Sequence, residues 1–458
     1  MRAGPIRALL FALVALLFVT PSRAAPDRVD AIVRRQMALN AIPGAAVAVV
    51  EHGRIVKIAT YGMANLEWAA PVGRDTRFQL ASVTKMFTGV LLMRLVEQGE
   101  VGLDDPLTRW FPDAPQSWAG ITVRQLANHS SGLAEQWGAA RDVTVDGIVA
   151  KAMATPLAYA PGSEARYGFT DFTVLRAILE KAGGRPLPQL LREELLAPLG
   201  MTSTGFAMAT DDGSVRVGEV LPHRASVYGL RDGRLATSDF FFAPQGYGAG
   251  GLYASIEDLA RFFVAMDTGR VLRPESIRAL ETPGALAGGK QSSFGLGWIV
   301  GSYRGATTAG HSGGPALADI VRVEARQLTV IVLTNQQLLH PLLAEAILDT
   351  YLPAPPRMPG IADDRPMIAS NIRTAMTSAV ADHDPVAVFA PAGKDAAASL
   401  FSPFTRAMLR GVGPLGAVEL IDVLANGQRR YRLDFAYKTM IWICAADTDA
   451  RLTALRPD

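Results

Sequence analysis

Apolar residues change period several times along this chain, and the changes mark out its elements. Ala45 to Val50 and Ile55 to Tyr61 are apolar, β-branched runs on either side of the turn-like Glu51-His52-Gly53-Arg54, which predicts a hairpin. The strand pattern returns far downstream at Phe294 to Val300, Leu317 to Glu324 and Leu328 to Thr334, with Gly-rich or polar turns between. Between the two strand groups the period becomes helical. The clearest cases are Ser82 to Gln98, stopped by Gly99, and Asp171 to Ala182, stopped by Gly183-Gly184. Strands at both ends of a helical middle predict an α+β domain.

Pro353, Pro355, Pro356 and Pro359 then interrupt every periodicity, which marks residues 352–366 as a linker. A second, small α+β unit is predicted over residues 367–458. It has helical patterns around Ile368 to Ala381 and Pro403 to Leu409, and strands at Ala417 to Leu424 and Arg429 to Tyr437 joined by the hairpin signal Asn426-Gly427. Lys438 to Ala445 and Arg451 to Leu455 continue the meander.

Composition adds little to this picture, since 49% hydrophobic and 19% charged residues describe an ordinary folded chain of 458 residues. Charge is more informative at the N-terminus. Arg2 and Arg7 precede the apolar run Ala8 to Val19, and Ser22-Arg23-Ala24 offers small residues at the positions a signal peptidase needs. Residues 1–24 therefore read as a cleaved secretory signal, with a retained membrane anchor as the alternative, and the expected location is periplasmic or secreted. Three of the 45 basic residues leave with that segment, against 43 acidic ones, and the near balance gives no attraction for nucleic acid. Stable membrane insertion is not expected after cleavage. Cys444, the single cysteine, excludes an intramolecular disulfide and a cysteine-based zinc site. His52, His129, His223, His340 and His383 show no metal-ligand spacing and read as turn or surface residues, so neither a metal nor another cofactor is expected.

Ser82-Val83-Thr84-Lys85 is the only place where a lysine follows a serine by three. On a helix those side chains share a face, so Ser82 Oγ and Lys85 Nζ can touch. A desolvated Lys85 would be neutral enough to take the serine proton. Spacing alone fits equally a surface N-cap serine beside a solvated lysine. The surrounding run Phe78-Gln79-Leu80-Ala81-Ser82-Val83-Thr84-Lys85-Met86, however, resembles the nucleophile motif of the serine β-lactamase and penicillin-binding-protein superfamily. Ile121 to Leu126, His129-Ser130-Ser131-Gly132-Leu133, Pro161-Gly162, Pro198-Leu199-Gly200-Met201, Gly250-Gly251-Leu252-Tyr253 with Ser255 and Asp258, and Gly295-Leu296-Gly297-Trp298 follow in the order of its class C β-lactamase and esterase branch. The resemblance covers about Val29 to Tyr351. It implies a β-lactamase-like domain over residues 25–351, with an antiparallel sheet built from the N- and C-terminal strands and flanked by the helical region.

The resemblance also implies roles. Tyr167 stands where the branch keeps a second proton carrier, but the family's Tyr-x-Asn is here Tyr167-Gly168-Phe169, and Phe169 offers no amide. His311-Ser312-Gly313-Gly314 occupies the Lys-Thr-Gly position just before the strand from Leu317, where His311, Ser312 and Gly313 would bind substrate and the Gly314 and Ser82 N–H groups would form an oxyanion hole. Gln136 matches a position that contacts the substrate's acyl side chain. The expected activity is serine hydrolysis of an ester or amide through a Ser82 acyl-enzyme. An esterase or D-amino-acid peptidase is favoured over a β-lactamase, because Phe169 and His311 both depart from the β-lactam-binding pattern. The expected substrate is a small molecule or peptidoglycan-like, and the alternative is a non-catalytic sensor that keeps the pocket.

Overall fold

The computed structural model describes residues 27–136, 144–207, 209–211, 216–218, 220–240, 242–314, 317–337, 341–381, 383 and 386–458. The signal-like segment 1–24 and His340 lie outside them. The chain opens with helix α1 (Arg28–Asn40), capped by Asp27, and then enters a seven-stranded sheet. Its strands are β1 (Gly44–Glu51), β2 (Arg54–Asn65), the short β3 (Ala70–Pro71), β4 (Ile299–Tyr303), β5 (Ala306–Gly313), β6 (Ala318–Val323) and β7 (Leu328–Thr334). They pair antiparallel in the order β4-β5-β6-β7-β1-β2-β3, so the two ends of this region meet where β1 lies beside β7.

β1 shows why its sequence is continuously apolar. Ala46, Ala48 and Val50 face a core shared with the central helices, whereas Ala45, Val47 and Val49 face α1 and α5 (Pro341–Leu348). Burial on both faces removes the polar alternation of a half-exposed strand. The helical middle includes α2 (Thr84–Gln98), α3 (Thr170–Gly183) and α4 (Ile256–Asp267), and its apolar side chains fill the first of those faces.

Two expectations at the sheet need correction. Phe294 to Trp298 is a loop, and the strand begins at Ile299. A Cβ on Gly295 would lie 2.0 Å from the Leu280 carbonyl and one on Gly297 2.4 Å from that of Lys85, so both glycines press the loop against neighbouring backbone. His311, Ser312 and Gly313 are likewise the end of strand β5, not a turn before the next strand.

Residues 353–363 carry neither helix nor strand. Beyond them α6 (Pro366–Val380), α7 (Lys394–Leu400) and α8 (Pro403–Val412) pack on an antiparallel sheet of β8 (Leu415–Val423), β9 (Arg429–Phe435), β10 (Thr439–Ala446) and β11 (Leu452–Pro457). These elements enclose a separate core that includes Ile372, Leu409, Tyr431, Trp442 and Cys444. Burial pushes the Cys444 thiol up to about 12, which leaves it inert. α8 rests on α1 and α5, with the buried Gln36 Nε2 donating to Gly411 O at 2.7 Å, an ion pair between Lys438 and Glu345, and Arg35 stacked 3.9 Å over Tyr437.

Candidate active site

Ser82 lies in a single 3₁₀ turn, Ala81–Val83, that leads into α2. The turn is pinned from two sides. Leu80 N donates to Leu252 O at 2.8 Å, and Thr84 Oγ1 both donates to Ala81 O at 2.6 Å and accepts from Leu252 N at 3.1 Å. Buried Ala81 is held at φ +46°, a left-handed conformation disfavoured for a residue with a Cβ. Strain of this kind persists only where its surroundings over-determine it.

Lys85 follows one turn later and is 3% exposed. Its Nζ donates to Tyr167 Oη at 2.8 Å and to Ala249 O at 2.9 Å. Burial brings the ammonium down to about 7, although Glu135 and Asp171 pull through space in the opposite direction. Tyr167 shares a hydrogen bond with Ser82, which favours its phenolate, but burial dominates and raises the phenol to about 12. Ser82, Tyr167 and Lys85 thus form a hydrogen-bonded chain in which the phenol is protonated at neutral pH and the amine is close to half neutral.

β5 packs against the Ser82 turn. A Cβ on Gly313 would sit 2.2 Å from the Leu80 carbonyl, whereas one on the exposed Gly314 would meet nothing within 4 Å. His311 lies on the same strand face as Gly313, with its ring 5.8 Å from that of Tyr167. Its Nδ1 donates to Ser312 O at 2.7 Å, and burial beside Lys85 pushes it down to about 3. It is therefore a neutral imidazole at working pH, with Nε2 as the unprotonated nitrogen. Ser312 pairs across the strands with Asp319, and its side chain hydrogen-bonds that carboxyl on the opposite face of the sheet. The Ser312 hydroxyl accordingly faces away from Ser82, and only its backbone lies along the site.

Phe169 fills the place of the missing amide with a ring that lies beside Gly246 and Phe242 and packs on the central core. Gln136 is buried, its backbone N donating to Thr170 Oγ1 at 2.7 Å and its Nε2 to Ala134 O at 3.2 Å. The neighbouring Glu135 caps α3, accepting from Phe169 N at 2.6 Å and Thr170 Oγ1 at 2.9 Å. A cavity of about 210 Å³ opens beside Tyr167, lined in part by Glu135, Tyr159, Arg166 and Thr170.

His129 lies in a turn, one of the two settings expected of it, but it is not a surface residue. His129 is 2% exposed, its Nδ1 lies 3.1 Å from Asp171 Oδ2, and its ring centroid is 4.9 Å from that of Tyr167. Ser131 Oγ donates to Asp171 Oδ1 at 2.5 Å. Burial pushes Asp171 up and His129 down, so both lean toward their neutral forms. The available signal was that His129 and Ser131 belong to one matched motif and Asp171 follows another by four residues. No cluster of three or more potential metal-ligating side chains occurs among the described residues, and none of their helices is long and apolar enough to cross a membrane.

A serine-bearing turn, a desolvated amine and a phenol between them, set against a sheet strand, fit a serine hydrolase. Known proteins agree. The Beta-lactamase family profile matches residues 29–351. Esterase EstB of Burkholderia gladioli is 31% identical over 290 residues, which cover 55% of this chain and 72% of that protein. D-amino acid amidase from Ochrobactrum anthropi SV3, solved with L-phenylalanine amide, superposes with a TM-score of 0.60 at 25% identity, over 71% of this chain and 99% of that one. The octameric penicillin-binding protein homologue from Pyrococcus abyssi superposes with a TM-score of 0.62 at 22% identity, over 92% of this chain and 90% of that one, and so shares fold beyond residue 351. The chain belongs to the β-lactamase family.

Proposed function

We propose that this serine hydrolase is an exported esterase or D-amino-acid peptidase that works through a Ser82 acyl-enzyme. The observation that carries the reading is the buried Lys85 Nζ, 2.8 Å from the phenol that hydrogen-bonds Ser82. As Ser82 Oγ attacks the carbonyl carbon, its proton passes to Tyr167 while the phenolic proton passes to neutral Lys85. The resulting ammonium returns a proton through Tyr167 to the leaving alcohol or amine as the carbonyl–heteroatom bond breaks. Water then attacks the acyl-enzyme by the same relay, releasing the acid and restoring Ser82. The N–H groups of Ser82 and Gly314 are assigned to the developing oxyanion. Gln136 is assigned to the acyl side chain.

The ester or peptide preference is supported by Phe169 and His311. An apolar ring replaces an amide, and a neutral imidazole replaces a cation, so two hydrogen-bonding features that suit a β-lactam's acylamino group and carboxylate are absent. The names of the esterase and the amidase above point the same way. Export rests on the pattern of residues 1–24.

The test is covalent labelling with a fluorophosphonate. Intact mass should rise by one adduct in the native protein and not in a folded Ser82→Ala variant, and an adduct that persists there would remove Ser82 from the mechanism. With the native enzyme, kcat/KM for p-nitrophenyl butyrate should exceed that for a chromogenic cephalosporin by about ten- to a hundredfold, the worth of one lost charge-assisted hydrogen bond.

A further inference from the structure

His129 accepts from the backbone N–H of the residue on each side of Tyr167. Its carbonyl accepts from Arg166 N at 2.9 Å, its Nδ1 accepts from Gly168 N at 3.4 Å, and its ring packs on the phenol between them. Four further contacts fix His129 itself. Asp171, on the first turn of α3, lies against Nδ1, Tyr159 Oη donates to the His129 carbonyl at 3.0 Å, and Phe172 and Phe294 pack against the imidazole with centroids 5.1 and 5.0 Å away. Asp171 is held in turn by Ser131, whose Oγ also accepts from Leu133 N at 3.0 Å. The backbone of His129 adopts φ +61°, so the chain bears a strained turn where this imidazole meets the phenol.

Tyr167 needs such a support, because it lies on an irregular segment and, although its phenol is desolvated, the residue as a whole is 47% exposed. Its two functional hydrogen bonds must both be kept while substrate and product exchange over that open face. We propose that His129, oriented by Asp171, is the positioning residue that holds Tyr167 Oη between Ser82 and Lys85. It touches no reacting atom and acts on the rate through the phenol alone. This inference rests on the reading of Tyr167 as a proton carrier.

A double-mutant cycle on the full chain, read with p-nitrophenyl butyrate, tests it. His129→Leu should lower kcat about ten- to a hundredfold with KM little changed, the cost of a misplaced reacting group. In a Tyr167→Phe background the same substitution should cost less than about threefold, since the group it positions is gone. Asp171→Leu should follow the same pattern and carries the test if His129→Leu does not fold, while Asp171→Asn, which keeps both polar contacts, should recover most of the rate. Equal losses in the two backgrounds would overturn the proposal and leave the phenol's role standing. A Tyr167→Phe enzyme with undiminished kcat would overturn that role, and this inference with it.

Discussion

Among the described residues nothing negatively charged touches Lys85. Its Nζ bonds a phenol and a carbonyl, and Glu135 and Asp171 reach it only through space. Burial therefore prevails, and the ammonium loses its proton near 7 in place of the usual 10.5. Because the proposed relay needs the neutral amine, kcat/KM for p-nitrophenyl butyrate should climb about tenfold per pH unit below that midpoint and level off above it. His311 adds no second limb between pH 5 and 9, since its imidazole is already neutral there. A profile that is flat across the same range would show that Lys85 is not the base.

At the scale of elements, the site depends on how closely β5 approaches the Ser82 turn. Gly313→Ala would drive a Cβ into the Leu80 carbonyl, a backbone atom that cannot swing aside. The variant should lose about 1–3 kcal/mol in denaturant unfolding and label slowly with the fluorophosphonate. Gly314→Ala faces open space and should unfold at the same midpoint as the native protein. This strand was also hard to read in advance. Ala306 to Gly313 is made of small and polar residues, with none of the bulky apolar side chains that mark a buried strand, whereas Leu328 to Thr334 carries a nearly continuous run of them. Phe294 to Trp298 carried the opposite error, being apolar enough for a strand but bent by Gly295 and Gly297. Ser82 and Lys85 were legible because they lie only three residues apart, at the entry to one helix, and Tyr167 links them. His129 was not, since its partner Asp171 lies 42 residues away and a pairing between distant residues leaves no local mark.

Across the whole molecule, the two cores meet where α8 rests on α1 and α5, and polar contacts join them there. Gln36 with Gly411, Lys438 with Glu345 and Arg35 with Tyr437 connect them, while the apolar side chains of each stay largely in their own cluster. Truncation after Pro359 should therefore leave a soluble unit whose Ser82 labels at an undiminished rate, and aggregation or loss of labelling would mean that the cores depend on each other. The contact also has a direction. α8 rests on α1 and α5, which cover one face of the large sheet, while the Ser82 turn and α2 belong to the core on the other. A bead, an electrode or a fused carrier attached at Asp458 would therefore lie behind the sheet. The catalytic mouth would then open toward the bulk liquid, so substrates too large to enter a crowded surface layer should still reach it.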